Sequence, residues 1–141
     1  MARIEMIIDS VRRGLYRSAW AIILKERSGG RYLPVYIARP YVDVIKAKLF
    51  TGESGVPSTC DLSIPGIDVT SGKLESVTIN AFVNNIFHAE LSLSCCHGQR
   101  MIDCLAGKAL ALSVMAGTPI FAEEAVLDKA GLEMSQMRQI G

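Results

Sequence analysis

Asp103 is the residue whose type and position best fit a chemical role. It ends a predicted strand, Gln99–Asp103, and a predicted helix from about Ala106 to Ala116 follows at once. Enzymes of many folds place catalytic or metal-binding groups where a strand gives way to a helix. Alternatively, the Asp103 carboxylate caps the helix that follows it. The sequence leaves both interpretations open.

Four other residues complete the candidate site. Asp61 and Thr59 occupy the predicted start of a single helical turn, within a connection rich in Gly, Ser, Pro and Thr. Asp61 and Asp103 could share one Mg²⁺ or Mn²⁺ ion if the fold brings their loops together. Lys108, in the first turn of the helix after Asp103, could instead bind phosphate beside the terminal amides, without a metal. Arg39 is the last candidate binding residue.

Composition excludes several functional classes. No Ser/His/Asp triad, Cys/His dyad or P-loop can be assembled, and the four cysteines have no CxxC spacing that would indicate a zinc knuckle. A net charge of +1 argues against nucleic-acid binding driven by overall charge. No apolar run approaches the roughly 18 residues needed to cross a bilayer. We therefore expect a cytoplasmic protein with reduced thiols and no membrane association.

Hydrophobic periodicity predicts strands and helices in an order that repeats. Strands are expected from alternation and β-forming residues, and helices from apolar positions at i, i+3, i+4 and i+7. Arg27–Gly30 and Asn84–Asn85 are expected to form hairpin turns. The predicted elements are strands Glu5–Val11, Ser18–Glu26 and Arg31–Ile37, helix Pro40–Phe50, strands Leu74–Phe82, Ile86–Ser94 and Gln99–Asp103, helix Ala106–Ala116, strand Ile120–Phe121 and helix Ala122–Gly131.

This order predicts an α+β fold in which two strand–strand–strand–helix units pack into one compact domain. Apolar residues such as Ile37 and Ile102, or Ile45 and Leu110, recur at one constant separation along the chain. The predicted domain covers residues 1–132, with repeat halves at about 4–52 and 74–117. Residues 133–141 are expected to form a C-terminal tail.

Several segments resemble the bifunctional nuclease (BFN) domain family. The most specific runs from Ile102-Asp103 through Ala109-Leu110-Ala111-Leu112 to Gly117-Thr118-Pro119-Ile120-Phe121. Leu33–Ile37, Pro57–Leu62 and Phe87–Ala89 resemble further family segments, so the resemblance spans about residues 6–132. It implies a compact α+β fold, self-association, and hydrolytic action on DNA and RNA.

The chain departs from the family pattern at positions that matter for chemistry. After the Asp, family members usually have Arg, Ser and a second Asp where this chain has Leu105, Gly107 and Lys108. The family's Thr-His-Asp is Thr59-Cys60-Asp61 here, so its site residues carry over only at Asp103, Asp61 and Thr59. Replacing Asp by Lys removes a metal ligand, and replacing Arg by Leu removes a bidentate phosphate clamp.

Three hypotheses about function follow. The first is a metal-assisted nuclease, which requires Asp61 and Asp103 to lie close together. The second is a catalytically silent paralogue that binds nucleic acid or a small anion without turnover. The third is an oligomerisation unit with a large apolar interface and no polar pocket.

Overall fold

The computed structural model describes residues 2–13, 20–51, 73–95 and 98–133. No helix within these ranges is long and apolar enough to span a membrane. The elements in this part of the chain are β1 (Arg3–Arg13), β2 (Trp20–Glu26), β3 (Tyr32–Ile37), α1 (Arg39–Lys46), a π-helical segment (Ala47–Thr51), β4 (Lys73–Val83), β5 (Ile86–Cys95), β6 (Gly98–Leu105), α2 (Ala106–Ala116), β7 (Ile120–Glu123) and α3 (Glu124–Ala130).

The seven described strands form one mixed sheet in the order β3-β2-β1-β7-β4-β5-β6. The short strand β7 pairs antiparallel with β1 and parallel with β4, whereas the other neighbours are antiparallel. The sheet curls, so that β3 also contacts β5. Sheet and helices together confirm the predicted α+β class.

The β4–β5 hairpin forms where the sequence predicts it. Asn84 and Asn85 have φ angles of 53° and 63°. Both angles are positive, as a two-residue type I′ turn requires, and asparagine tolerates this conformation better than most residues. Beyond the turn, Phe87, Ala89 and Leu91 point into the core, as the alternation in β5 predicts.

Helix α2 is the centre of the core. Its apolar residues face neighbours on nearly all sides, and Ala109, Leu110 and Ala111 are fully buried. The helix ends at Gly117, whose φ of 70° is the left-handed conformation that glycine adopts without strain. The buried Ser113 hydroxyl donates to the Thr118 carbonyl at 2.7 Å, which fixes the chain as it leaves the helix.

Several predicted boundaries are wrong. The helix expected over Ala122–Gly131 begins only at Glu124, because strand β7 continues to Glu123. The helix expected over Pro40–Phe50 is α1 only as far as Lys46, and a π-helical segment follows. Such segments are rare, and the spacing of apolar residues does not distinguish them from an α-helix. Strand β6 continues beyond Asp103, because its ladder with β5 extends to the pair His88–Leu105.

The capping role considered for Asp103 is therefore wrong as well. Leu105 occupies the N-cap position of α2, and no side chain caps this end. Asp103 lies inside strand β6, where its backbone belongs to the ladder with β5 and its side chain is exposed.

Candidate functional site

Helices α1 and α2 begin side by side, and Gly107 permits this close approach. A Cβ atom at Gly107 would lie 2.8 Å from Cδ2 of Tyr41 and 3.2 Å from Cβ of Ile37. Tyr41 belongs to the first turn of α1, and Gly107 to the first turn of α2. The two helix N-termini therefore meet at one corner of the domain.

The two helix starts present features that favour an anion. Neither helix has a side-chain cap or an acidic residue in its first turn. Arg39 is the first residue of α1, and Lys108 is the third residue of α2. First-turn amides and the helix dipole favour negative charge, and the two cationic side chains add to this preference. Chemically, the corner suits a phosphate or another anion.

Asp103 has a carboxylate neighbour that the sequence did not reveal. In the β5–β6 ladder Asp103 lies directly opposite Glu90, and Glu90 in turn lies opposite Thr78 of β4. Side chains at such positions have Cβ atoms about 4.5–5.5 Å apart, and like charges there repel. No residue in the described ranges forms an ion pair with either carboxylate. The pair is thus a place where a cation would relieve repulsion.

The pair also fits the ligand preference of magnesium. Mg²⁺ keeps several of its waters and is usually held by one or two carboxylates together with substrate phosphates. Within the described ranges, no three His, Cys, Asp or Glu side chains gather into a more complete cation site. Asp103 and Glu90 would hold such an ion through their oxygen atoms.

Cys104 separates the acidic and basic parts of the site. It lies between Asp103 and the start of α2, and its side chain packs against the core. Burial raises the pKa of the Cys104 thiol to about 11; the nearby positive charge of Lys108 lowers it and the charge of Asp103 raises it. The thiol is therefore protonated near neutral pH and does not provide a nucleophile there. Because both charges act on the thiol, Asp103 and Lys108 must both lie close to the side chain of Cys104.

The predicted site residues have different outcomes. Thr59 and Asp61 lie outside the described residues. Arg39 and Lys108 lie on the two helical turns that meet, and Asp103 lies on the neighbouring strand. The sequence analysis missed Glu90. Its position opposite Asp103 depends on the register between β5 and β6, which the sequence of either strand alone does not determine.

Comparison with known proteins identifies the family. Residues 22–135 match the bifunctional nuclease domain. The chain belongs to the bifunctional nuclease domain family, as the sequence motifs predicted.

Two relatives are uncharacterised proteins of Mycobacterium tuberculosis, from strain CDC 1551 / Oshkosh and strain ATCC 25618 / H37Rv. Each is 30% identical to this chain over 111 residues, which cover 79% of this chain and 66% of the relative. The matched region thus spans just under two thirds of the length of these relatives.

Proposed function

We propose that this protein is a nuclease-like phosphodiester hydrolase that binds DNA or RNA at the paired N-termini of α1 and α2. The observation that carries the proposal is the meeting of two uncapped helix starts, with Asp103 on the strand that leads into α2. Phosphodiester hydrolysis needs cationic groups for the phosphate oxygens and carboxylates close to the attacking water. Family membership favours the same chemistry.

The chain's residues have distinct roles in this proposal. Lys108, Arg39 and the first-turn amides bind the phosphate and offset its negative charge. Asp103 orients the water that attacks phosphorus and accepts its proton. A divalent cation held by Asp103 and Glu90 would supply charge stabilisation and a more acidic water. Asp61 and Thr59 are proposed as further members of the site on the family resemblance alone.

A second candidate function is nucleic-acid or anion binding without turnover. It is favoured by Lys108, which puts a cation where family members usually have a second Asp, and by the absence of a three-carboxylate group within the described ranges. The two candidates share the phosphate-binding corner, so they differ only in whether the carboxylates complete a catalytic centre.

One set of variants separates the two candidates. Cleavage of labelled single- and double-stranded DNA and RNA is measured with Mg²⁺ or Mn²⁺, alongside binding of the same substrates. Hydrolysis predicts that Asp103→Asn abolishes cleavage and retains binding, whereas Lys108→Gln weakens binding. Glu124→Gln, an exposed change on α3, is the matched control. Binding without cleavage by the wild type supports the silent paralogue, and absence of both refutes the proposed site.

Self-association is a separate proposal. Strand β6 is an edge of the sheet that the described residues form, and its outward residues Met101 and Leu105 are 49% and 55% exposed. An unpaired edge with exposed apolar side chains is a template for a second strand. We infer that two copies pair along β6. Light scattering should then show a dimer for the wild type and a monomer for Leu105→Lys. A wild-type protein that is monomeric at all concentrations would refute this pairing.

We also infer that the two strand–strand–strand–helix halves are a duplication, and that the protein resides in the cytoplasm. The order of the described elements and the cysteine spacing support these two inferences. Superposition of the halves in an experimental structure, and fractionation of cells, would test them.

A further inference from the structure

The outer face of the sheet, opposite α1 and α2, contains a polar cavity of about 540 Å³. Strands β1, β4, β5, β6 and β7 contribute to its walls. The volume lies within the range of small-molecule sites, in which a few fixed polar groups set the orientation and specificity of the ligand. The cavity does not include the two helix starts, but it shares Glu90 with the carboxylate pair described above.

One wall carries a cation held in place. A guanidinium nitrogen of Arg3 donates to Oγ1 of the buried Thr78 at 3.2 Å, and its carbon lies 4.6 Å from the centre of the Phe121 ring. A hydrogen bond and a cation–π contact together restrict the side chain. The guanidinium has five N–H donors in a planar fork, so donors remain for a carboxylate of a ligand.

Two carboxylates also line the cavity. Glu90 projects from β5, and Glu75 is the extra residue where the β4–β5 register shifts between Leu74 and Ser76. A bulge of this kind re-aims a side chain, and bulges are common beside functional sites. Neither carboxylate forms an ion pair with Arg3 or with any other part of the chain that the structure describes.

The rest of the lining is polar and small. The amide nitrogen of Gln99 donates to the buried Ser92 hydroxyl at 2.7 Å, which fixes both side chains. Apolar surface comes from Phe121, Met101 and Pro119. Such a lining favours a small, highly polar ligand over a lipid.

We propose that this cavity binds a basic amino acid, such as lysine. One guanidinium and two carboxylates are the complement of one carboxylate and two ammonium groups. In this arrangement the carboxylate of the ligand accepts hydrogen bonds from Arg3. The two ammonium groups of the ligand donate hydrogen bonds to Glu75 and Glu90. The short apolar stem of the ligand lies against Phe121 and Met101. This inference does not rest on the proposed hydrolase activity.

Titration calorimetry with free L-lysine tests the proposal. Divalent cations are left out, because Glu90 is shared with the carboxylate pair proposed to hold a metal. We expect saturable binding with a Kd of about 1 mM or tighter. Cadaverine, which lacks the carboxylate, and norleucine, which lacks the side-chain ammonium, should each bind about tenfold more weakly, since each loses one charged contact.

Two variants and a matched control decide the location. Arg3→Gln and Glu75→Gln should each weaken lysine binding about tenfold, whereas Arg13→Gln, an exposed change at the other end of β1, should leave it unchanged. Circular dichroism confirms that each variant is folded. Absence of saturable binding up to about 10 mM, equal binding of norleucine, or wild-type affinity in both cavity variants would overturn the proposal.

Discussion

Placing a methyl group at Gly107 should destabilise the protein by about 1 kcal/mol. The new Cβ would lie 2.8 Å from Cδ2 of Tyr41 and 3.2 Å from Cβ of Ile37, both inside normal contact distance. Overpacking of this kind costs about 1–3 kcal/mol, and replacing glycine by alanine in a helix regains at most about 1 kcal/mol. The Tyr41 ring can shift, but the Ile37 Cβ is fixed to the backbone, so the cost is only partly relieved.

Urea denaturation of Gly107→Ala, Tyr41→Ala and the double variant measures this effect. Because Tyr41→Ala removes the nearest obstruction, Gly107→Ala should cost at least about 0.5 kcal/mol less in that background. Gly30→Ala is the matched control, because a Cβ there meets no atom within 4 Å. If Gly107→Ala stabilises the wild type and shows no coupling to Tyr41, the helix starts are not packed as described, and the proposed anion-binding corner loses its basis.

Three further changes have defined outcomes. Burial raises the pKa of Cys104 to about 11, so alkylation of its thiol should be slow at pH 7 and should accelerate towards pH 11, as measured by site-resolved mass spectrometry. Lys108→Met should slow the alkylation further, because the lysine lowers this pKa. Fast labelling at pH 7 would contradict the burial of Cys104. Ser113→Ala should lower the free energy of unfolding by about 1 kcal/mol, because the buried hydroxyl bonded to Thr118 is lost; an unchanged urea midpoint would contradict this. Arg31→Met should lower the free energy of unfolding by about 1 kcal/mol at low salt, because Glu26 and Asp128 lose their ion-pair partner. The difference should become smaller in about 1 M NaCl, which screens the charges. A difference that does not depend on salt would indicate that Arg31 acts through packing instead.

Local features of the fold were predictable where the local sequence determines the backbone. Asn84 and Asn85 make the hairpin turn because few other residues tolerate two positive φ angles in succession. Alternation placed Phe87, Ala89 and Leu91 on the buried side of β5 for the same kind of reason. Each of these predictions depends on neighbours within a few residues.

The site was predictable only in part, because its geometry depends on register and on long-range pairing. Asp103 was correctly placed near the start of α2, yet the strand continues past it because β5 offers partners as far as Leu105. The opposing carboxylate of Glu90 follows from that same register. Likewise, Tyr41 and Gly107 are far apart in the sequence, and no local pattern predicts that they come into contact.

The position of β7 determines when the sheet can be completed during synthesis. In the part of the chain that the structure describes, strands β1 and β4 are joined through the four residues of β7, which the ribosome makes after both three-stranded parts. A nascent chain that stops short of Ile120 exposes two unpaired edges, each open to another chain. Closure also joins residues far apart in sequence, which slows folding and prolongs that exposure. The last of the seven described strands therefore joins two three-stranded parts into one continuous sheet, and both edges stay open to aggregation until it emerges.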